Sequence, residues 1–515
     1  MGLSYSDLNL LRFIQKRQRI SLSKAALQFE KDEISIRRTV DRINLFSLKP
    51  LVEIKKGFCL SRLNYKEFVD FIQQITMEDY ASSHIERIRV MIVTIFFHGY
   101  VNASSLYENW GISLTTKKQD TAYLRQLLEE QGLKLLTLKK KGLTIEGDEL
   151  QLRFLVLNIL HPLLEFTAEN RIEARYANTP LEKQSYHLAD DYLQPVSSQA
   201  VNQLTSFLTE YHLSLNYPSK KFLLLFICIM EIRPVRDSME FSYRLPLAPL
   251  NIHFTDKPLE NKLYNVALSM MNFYSSPDFP MDNRLRHTTE QFAEQVVNHL
   301  KNPFALQEEF IQELYNYFYR EITLNHFHCT FVDKTVENTR EQFSDLYETI
   351  RKYEVYFKAA YNFSFMDEHL SSLTLLVQKH VLRNRTVSRQ HKKIVVMTSI
   401  NFERVSFFLE EIKEYVELQW IGILNINEIH ELKNLDYDYI FCFSSRIYNM
   451  LYGQSLPVIH INFFVGSSDV ENLLTYGFST RKHRFLAARF VSELGGKSES
   501  EMEAYLKENY GDHFV

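Results

Sequence analysis

The chain has 515 residues, of which 45% are apolar and 13% aromatic, with only 14 glycines and 13 prolines. This length exceeds what one hydrophobic core supports, and at roughly 100 to 200 residues per domain it predicts three to five domains. The composition excludes a largely disordered chain, and the small number of glycines favours long helices.

The longest apolar run covers residues 222–230 and ends at Glu231, whereas a bilayer span needs about 18 apolar residues. The N-terminus MGLSYSDLNLLRF lacks the basic and then apolar pattern of a signal peptide. We therefore expect a soluble, cytoplasmic protein without membrane contact. The four cysteines lie far apart without a CxxC pair, which indicates buried thiols instead of a zinc site or a disulfide framework.

The net charge of −4 hides an asymmetry along the chain. Residues 1–62 hold 13 Lys and Arg against 6 Asp and Glu, a balance of +7, and residues 63–150 hold 10 against 12, a balance of −2. The remaining 365 residues therefore carry −9. A polyanion-binding module is expected at the positive, N-terminal end.

The first 62 residues have the pattern of three helices and a hairpin. Apolar spacing predicts a helix over 5–16, Ser21 or Ser23 is placed to cap SKAALQF, and Ser35 to cap IRRTVDRINLF. LVEIKKGFCLS then alternates apolar and polar residues around Gly57, which is typical of a two-stranded wing. The order predicts a winged helix-turn-helix unit.

The same order returns further along the chain. Residues 85–97 are apolar at helical spacing, ASSLYENWG ends at Gly111, and Ser113 is placed to cap LTTKKQDTAYLRQLLEEQG. LKLLTLKKKGLTIEG repeats the hairpin with Gly142 at its turn. Two winged helix-turn-helix units in tandem are therefore predicted.

Helical periodicity dominates from residue 148 to 389, with turn residues at 274–283 between two predicted helical bundles. From Lys393 onward, short β-type runs alternate with helical stretches, which predicts a parallel α/β domain over about 392–487. The longer helices are predicted at 200–211, 259–273, 289–300, 307–324 and 336–360.

This order of parts resembles the Mga and AtxA regulators, the PRD-containing virulence transcriptional regulators of Gram-positive bacteria. The resemblance is carried by ISIRRTVDRIN, by SLTTKKQDTAYLRQLL running into KKKGLTIEGDELQLRFL, and by the KIVVMTS strand. It implies a multidomain, mainly α-helical protein with one C-terminal parallel sheet. The implied domains are winged helix-turn-helix 1 (1–63), the Mga-type winged helix-turn-helix 2 (64–148), phosphotransferase-regulation domains PRD 1 (149–282) and PRD 2 (283–390), an enzyme IIB-like domain (391–487) and a tail (488–515).

The resemblance also implies a DNA-binding transcriptional regulator, a global or virulence-associated activator whose dimerisation and activity respond to phosphotransferase-system (sugar) status. Two alternatives are a phosphotransferase-linked phosphocarrier and a PRD-containing RNA antiterminator. True enzyme IIB proteins carry a cysteine after their first strand, where this chain has MTSI at 397–400, and the antiterminators begin with a β-rich RNA domain. No GxxxxGK[ST], HExxH or GxSxG motif occurs, so we expect neither enzymatic activity nor a cofactor or metal.

A basic helix and a basic wing suit the closely spaced phosphates of DNA, and arginine suits the O6 and N7 of guanine. The alternatives are a solvated basic face on a protein-interaction domain and, for the second unit, a purely structural repeat. The second wing also contains Lys141, next to two predicted contacts. The predicted DNA-contacting residues are Ser35, Arg37, Arg38, Thr39, Arg42, Lys55 and Lys56 in the first unit, and Thr115, Thr116, Lys117, Lys118, Gln119, Lys139 and Lys140 in the second.

By resemblance, PRD histidines accept phosphate from the phosphocarrier HPr, and the PRDs and the enzyme IIB-like domain hold a homodimer or higher homo-oligomer together. Phosphorylation gives a near-neutral imidazole about two negative charges. An ordinary structural role is the alternative for each histidine, and Leu376 lies where a family histidine is expected, which suggests reduced regulation. We favour His212 and His328; the other candidates are His161, His187, His326 and His369.

Overall fold

The computed structural model describes residues 2–175, 178–236, 245–300, 308–331, 339–383, 392–454 and 456–476, with single positions outside these ranges. The described residues form two compact units. The first contains the chain up to Met271, with Ser275–Pro280 and Tyr319–Phe331; the second contains Asn272–Tyr274, Met281–Phe318 and the chain from 339 onward. Within these ranges no helix is both long and apolar enough to cross a bilayer. The predicted domain bounds stay predictions.

The first winged helix-turn-helix is built on strong helix caps. Ser4 and Asp7 cap the first helix reciprocally, and Ser21 caps the second by accepting a hydrogen bond from the Lys24 amide, as predicted. The third helix is capped by Asp32, not by the predicted Ser35, because the Asp32 carboxylate accepts a hydrogen bond from the Ser35 amide at 2.6 Å. Its elements are β1 (Leu3–Ser4), α1 (Tyr5–Arg17), β2 (Arg19–Ser21), α2 (Leu22–Gln28), α3 (Glu33–Asn44), β3 (Val52–Lys55), β4 (Phe58–Ser61) and α4 (Tyr65–Gln74).

One hydrophobic core holds this unit together. Ile36, Val40 and Ile43 of α3 lie buried in it, which confirms the apolar face predicted from their spacing. β2, β4 and β3 form an antiparallel sheet in that order, so the predicted wing is present. The same core includes side chains from α4 and Tyr80, and β5 (Tyr80–Ala81) pairs in parallel with β1.

The second winged helix-turn-helix repeats this plan. Ser113 caps its third helix, as predicted, by accepting the Thr116 amide at 3.2 Å. Gly142 has φ +135°, and a Cβ there would lie 2.1 Å from the Val101 carbonyl oxygen, so the close approach of this strand to Val101 requires glycine. Its elements are α5 (His84–His98), α6 (Ala103–Asn109), α7 (Leu114–Glu130), β6 (Leu133–Leu138) and β7 (Gly142–Gly147).

The rest of the first unit is mainly helical. The apolar run at 222–230 forms the buried middle of one helix, which packs against its neighbours on several sides. The helix predicted at 200–211 is the end of a 31-residue helix that contains Pro195. The elements are α8 (Glu149–Leu160), a 3₁₀ turn (His161–Leu163), β8 (Leu164–Phe166), β9 (Ile172–Ala174), α9 (Pro180–Glu210), β10 (Ser214–Leu215), α10 (Tyr217–Ile232), α11 (Pro258–Ser269) and β11 (Phe273–Ser275).

The second unit begins with a helical part around an aromatic core. The rings of Phe292, Phe318 and Phe357 pack together, with the Phe318 and Phe357 centroids 3.8 Å apart. The single helix predicted over 336–360 is wrong: its described residues form three short helices, with a break at Phe343, whose ring packs on Phe407. The helices are α12 (Asn283–His299), α13 (Glu308–His326), whose residues from Tyr319 onward belong to the first unit, α14 (Thr339–Gln342), α15 (Ser344–Lys352), α16 (Val355–Tyr361) and α17 (Asp367–Arg383).

The C-terminal part contains the predicted parallel sheet. Its four strands run in the order β13-β12-β14-β15, and every neighbouring pair is parallel. The helix after the first strand is buried on most sides because it packs both on the sheet and on α17. The elements are β12 (Lys392–Met397), α18 (Phe402–Lys413), β13 (Leu418–Leu424), a 3₁₀ helix (Ile426–Asn434), β14 (Tyr439–Cys442), α19 (Ser445–Tyr452), which was not predicted, β15 (Val458–His460) and α20 (Ser467–Thr475).

Candidate nucleic-acid interface

The recognition helices α3 and α7 have matching patterns of exposure when they are aligned at their N-caps, Asp32 and Ser113. In both, residues one, two, five and six after the cap are exposed, residue three is half-buried and residue seven is buried. This spacing lies on one side of a helix, which we call the outer face. The outer face consists of Glu33, Ile34, Arg37 and Arg38 in α3, and of Leu114, Thr115, Lys118 and Gln119 in α7.

Arg37 and Arg38 are the cations of the first outer face. Both are exposed, and neither forms an ion pair or a hydrogen bond with another residue that the structure describes. The hydrogen bond from the Ser35 amide, with a smaller effect of the Arg38 charge, lowers the pKa of the Asp32 carboxyl. Asp32 therefore stays ionised as the cap. The two guanidinium groups are exposed and can bind an anion from outside the chain.

Three predicted contacts of α3 need correction. Thr39 is buried, with 3% of its surface exposed, because the seventh position faces the core; the prediction that it reaches a base edge is wrong. Arg42 is engaged inside the unit, since its Nε donates to Asp7 Oδ2 at 3.0 Å and its Nη2 donates to Asp7 Oδ1. Ser35 is half-buried in the first turn and is not the cap.

The first wing presents one lysine more openly than the other. Lys55 pairs with Glu53, which also pairs with Arg62, and these two hydrogen bonds lower the pKa of the Glu53 carboxyl. Lys56 lies at the exposed tip, where φ is +48° at Lys56 and +77° at Gly57, as in a type I′ hairpin turn. Lys56 is therefore the better-placed cation for a phosphate.

In the second winged helix-turn-helix, too, some predicted contacts are bound to neighbouring residues and others are exposed. Lys117 Nζ donates to Ser104 Oγ at 2.9 Å and so links α7 to α6, and Thr116 Oγ1 lies 3.0 Å from Ser113 Oγ at the cap. The predicted contacts Thr115, Lys118 and Gln119 are exposed on the outer face. Lys139 and Lys140 are exposed at the tip of the wing, and Lys141 Nζ lies 5.8 Å from the Tyr100 ring centroid.

An acid–arginine pair fixes each recognition helix to the first helix of its unit. In the first winged helix-turn-helix the pair is Asp7 on α1 with Arg42 on α3. In the second winged helix-turn-helix, Arg87 on α5 donates a hydrogen bond to Asp120 on α7 at 2.7 Å, and the Tyr107 hydroxyl donates to the same carboxylate at 2.7 Å. Burial raises the pKa of Tyr107, so this hydroxyl keeps its proton and remains a donor. These two acid–arginine pairs were not predicted from the sequence. Their partners lie more than 30 residues apart, and no local sequence pattern indicates which residues will meet.

The first turn of α9 joins the two winged-helix units through a buried carboxylate. The Oε1 atom of Glu86, on α5, accepts hydrogen bonds from the Tyr80 hydroxyl at 2.5 Å and from the Thr179 hydroxyl at 2.9 Å. Tyr80 belongs to the first core and Thr179 is the N-cap of α9. We call Tyr80, Glu86 and Thr179 the junction cluster.

Three further hydrogen bonds connect the first turns of α9 to the two winged helix-turn-helix units. Lys183 Nζ donates to the carbonyl oxygens of Ile72 and Gln73, at 3.3 and 3.1 Å, which caps the C-terminal end of α4. On the other side, Trp110 Nε1 donates to Gln184 Oε1 at 2.8 Å. One helix thus contacts elements of both winged helix-turn-helix units.

Two candidate histidines are engaged in the core. His161 Nε2 lies 2.9 Å from the Pro218 carbonyl oxygen, its ring packs beside Phe222, and burial lowers its pKa well below the ordinary value. His369 is buried, and its Nδ1 accepts the Met366 amide at 3.0 Å. These contacts give both rings a structural role and disfavour them as phosphate acceptors.

The other four candidates, His187, His212, His326 and His328, are exposed. The pKa of His326 is lowered because the surrounding protein partly desolvates its ring, with a smaller effect of the charge of His328. His212 and His328 occupy the same kind of position: each follows the end of a long helix, α9 or α13, with φ of +51° and +52°. The residue after each donates its amide back into the helix, as in a Schellman C-cap.

Two winged helix-turn-helix units, each with an exposed polar face on its third helix, define a helix-turn-helix protein of the DNA-binding class. A family model described as the Mga helix-turn-helix domain matches residues 77–160, which contain α5, α6, α7 and the second wing. This match identifies an Mga-type helix-turn-helix domain within the chain, and such a domain suggests a DNA-binding transcriptional regulator. A search of curated proteins found no match.

Proposed function

We propose that this chain is a transcription regulator that binds promoter DNA with the outer faces of both α3 and α7. The observation that carries the proposal is the pair Arg37 and Arg38, which are exposed on α3 and are not bound to any residue that the structure describes. Guanidinium groups on the outer face of a recognition helix suit both phosphate oxygens and the O6 and N7 atoms of guanine.

The wings and the second recognition helix complete the proposed contact. Lys56, Lys139 and Lys140 are at the wing tips, where they suit the phosphate backbone. On α7, the exposed Thr115, Lys118 and Gln119 offer a hydroxyl, a cation and an amide, a set that serves phosphate and base contacts alike. Lys117, which is bound to Ser104, acts in this proposal mainly by positioning α7.

The test measures how binding depends on salt. The full chain selects a duplex from a random pool, and its affinity for that duplex is followed by fluorescence anisotropy at several salt concentrations. The double substitution Arg37→Ala with Arg38→Ala should weaken binding at least tenfold and lower the slope of log affinity against log salt by about 1 to 2, because each lost phosphate contact changes the slope by about 0.9. The pair Lys118→Ala with Gln119→Ala should also weaken binding.

The control is Lys66→Ala, which removes an exposed cation on α4, outside both recognition helices, and should leave the slope unchanged. Failure to select any duplex would refute DNA binding. An unchanged slope in the arginine variant would remove α3 from the interface.

We further propose that phosphotransferase status controls the regulator through His212 and His328, with HPr as the phosphate donor, and that the family's virulence-associated or global role applies here. A phosphate on either ring would put negative charge beside the C-terminal end of a helix, where the helix dipole already disfavours it. Phosphorylation would therefore loosen the ends of α9 and α13.

The C-terminal α/β part is proposed to be an enzyme IIB-like domain that serves assembly as a homodimer or higher oligomer. The loop after β12 carries Thr398 and Ser399 without a cysteine, and Cys442 lies buried on β14, where burial raises the pKa of its thiol to about 12. A thiol held in its neutral form is a poor nucleophile, which disfavours the phosphocarrier alternative. Sedimentation velocity of the full chain tests the oligomer.

A further inference from the structure

Each outer face contains one large aliphatic side chain in its first turn. Ile34 of α3 and Leu114 of α7 each have 62% of their surface exposed. Ile34 lies three and four residues before Arg37 and Arg38, so it is beside them on the same face of the helix. Leu114 has the same spacing to Lys117 and Lys118.

Single exposed apolar residues are ordinary on protein surfaces and need no special cause. Leu27, for example, is 82% exposed on α2, which is not a recognition helix. Ile34 and Leu114 differ from it in position, because both lie in the first turn of a recognition helix, among the side chains that would enter the major groove. In helix-turn-helix complexes the N-terminal residues of this helix contact the base edges.

The major groove has one apolar group that such a side chain can contact. Thymine presents its C5-methyl group there, whereas the other base edges present donors and acceptors. An isoleucine or leucine beside arginine or lysine can therefore distinguish a thymine next to the polar contact. Burial of one methyl group removes about as much apolar surface as a methylene, which corresponds to roughly fourfold in affinity.

We propose that Ile34 and Leu114 read thymine methyl groups in the major groove and so set part of the sequence preference of this regulator. The inference rests on the DNA-binding function proposed above and adds to it the base that each aliphatic side chain recognises. Arg37, Arg38 and Lys118 supply the polar contacts beside them.

The experiment uses the full chain and the duplex that it selects from a random pool. Each thymine of that duplex is replaced in turn by deoxyuridine, which removes only the methyl group. Wild type should lose about fourfold in affinity at a small number of thymines. Ile34→Ala should bind the unmodified duplex about fourfold more weakly and become insensitive to deoxyuridine at one subset of these thymines, and Leu114→Ala at a different subset.

Leu27→Ala is the matched control, since it truncates an exposed leucine off the recognition helix, and it should retain the wild-type deoxyuridine profile. A variant of Ile34 or Leu114 whose profile equals that of wild type overturns the assignment for its helix. A wild-type profile without any sensitive thymine overturns the inference for both helices and leaves DNA binding itself intact. Failure to select a duplex at all would instead refute the proposed function.

Discussion

Glu411 illustrates how burial sets the protonation of a single side chain in the C-terminal part. It lies on α18 with 8% of its surface exposed, and within the described residues its Oε2 atom has no hydrogen-bond partner. Burial, with a smaller contribution from Asp469, raises the pKa of this carboxyl to about 7, although a backbone hydrogen bond from Val465 opposes the shift. The folded protein therefore binds a proton here that the unfolded chain releases at lower pH.

This raised pKa predicts a pH-dependent effect of Glu411→Gln. Above pH 7 the buried charge of Glu411 lowers the free energy of unfolding of wild type. This loss disappears as the pH falls from 7 toward the unfolded pKa of 4.5, because the carboxyl is then protonated in the folded protein. The variant should thus be more stable than wild type by roughly 2 to 3 kcal/mol at pH 8, with little difference at pH 4. Urea unfolding followed by Trp420 fluorescence, in a Trp110→Phe background, measures this, because the chain has only two tryptophans.

The neighbouring substitution Glu410→Gln is the control. Glu410 pairs with Lys413 at 2.9 Å, and its loss should not produce the same rise in stability between pH 4 and pH 8. If Glu411→Gln were equally or less stable than wild type at pH 8, burial would not raise the pKa of this carboxyl.

At the scale of elements, the acid–arginine pairs explain how α3 and α7 keep their orientation. Asp7 is 1% exposed, so removal of its partner leaves a carboxylate with little access to water. Arg42→Ala should therefore reduce the local stability of α1 and α3 by about 1 to 3 kcal/mol, measured as lost protection in hydrogen exchange of their peptides. Arg38→Ala, one turn earlier on the same helix, is exposed and should leave protection unchanged. Equal protection in the two variants would show that the pair does not hold α3.

The helices and both wings were predictable because their signals are local. Ser21 and Ser113 cap the helices as predicted, and Ile36, Val40 and Ile43 reveal the buried face by their spacing alone. Periodicity also places Thr39 on the core face, because it lies three residues after Ile36 and four before Ile43, but this signal was missed. Periodicity could not show that Arg42 binds Asp7, because that contact depends on the packing of α3 against α1. The missed helix α4 did carry a local signal, since Asn64 and Glu67 form a capping box.

At the scale of the whole molecule, the proposed regulation makes a further prediction. Incubation with HPr, enzyme I and phosphoenolpyruvate should place acid-labile phosphate on wild type, detected by mass spectrometry under alkaline conditions. His212→Asn and His328→Asn should each lower the incorporation, and the double variant should abolish it. Asparagine is chosen because it tolerates the positive φ at both positions.

His187→Ala is the control for this measurement, because His187 is also exposed but lies within α9 instead of after a helix end. It should retain the wild-type level of phosphate. Phosphate that persists in the double variant would assign the acceptor to another histidine, and none on wild type would refute control by HPr.

The junction cluster has a mechanical consequence. α9 has 31 residues, so at 1.5 Å per residue it extends over about 46 Å. Its N-terminal end at Thr179 contacts both winged helix-turn-helix units, and its C-terminal end lies close to His212 in the chain. In the proposed function, a shift of the part of α9 after Pro195 would be passed through this first turn to the two winged helix-turn-helix units and would change their spacing. In that case, the distance between the two recognition helices on the duplex would be the quantity through which a change near His212 affects the proposed binding of DNA.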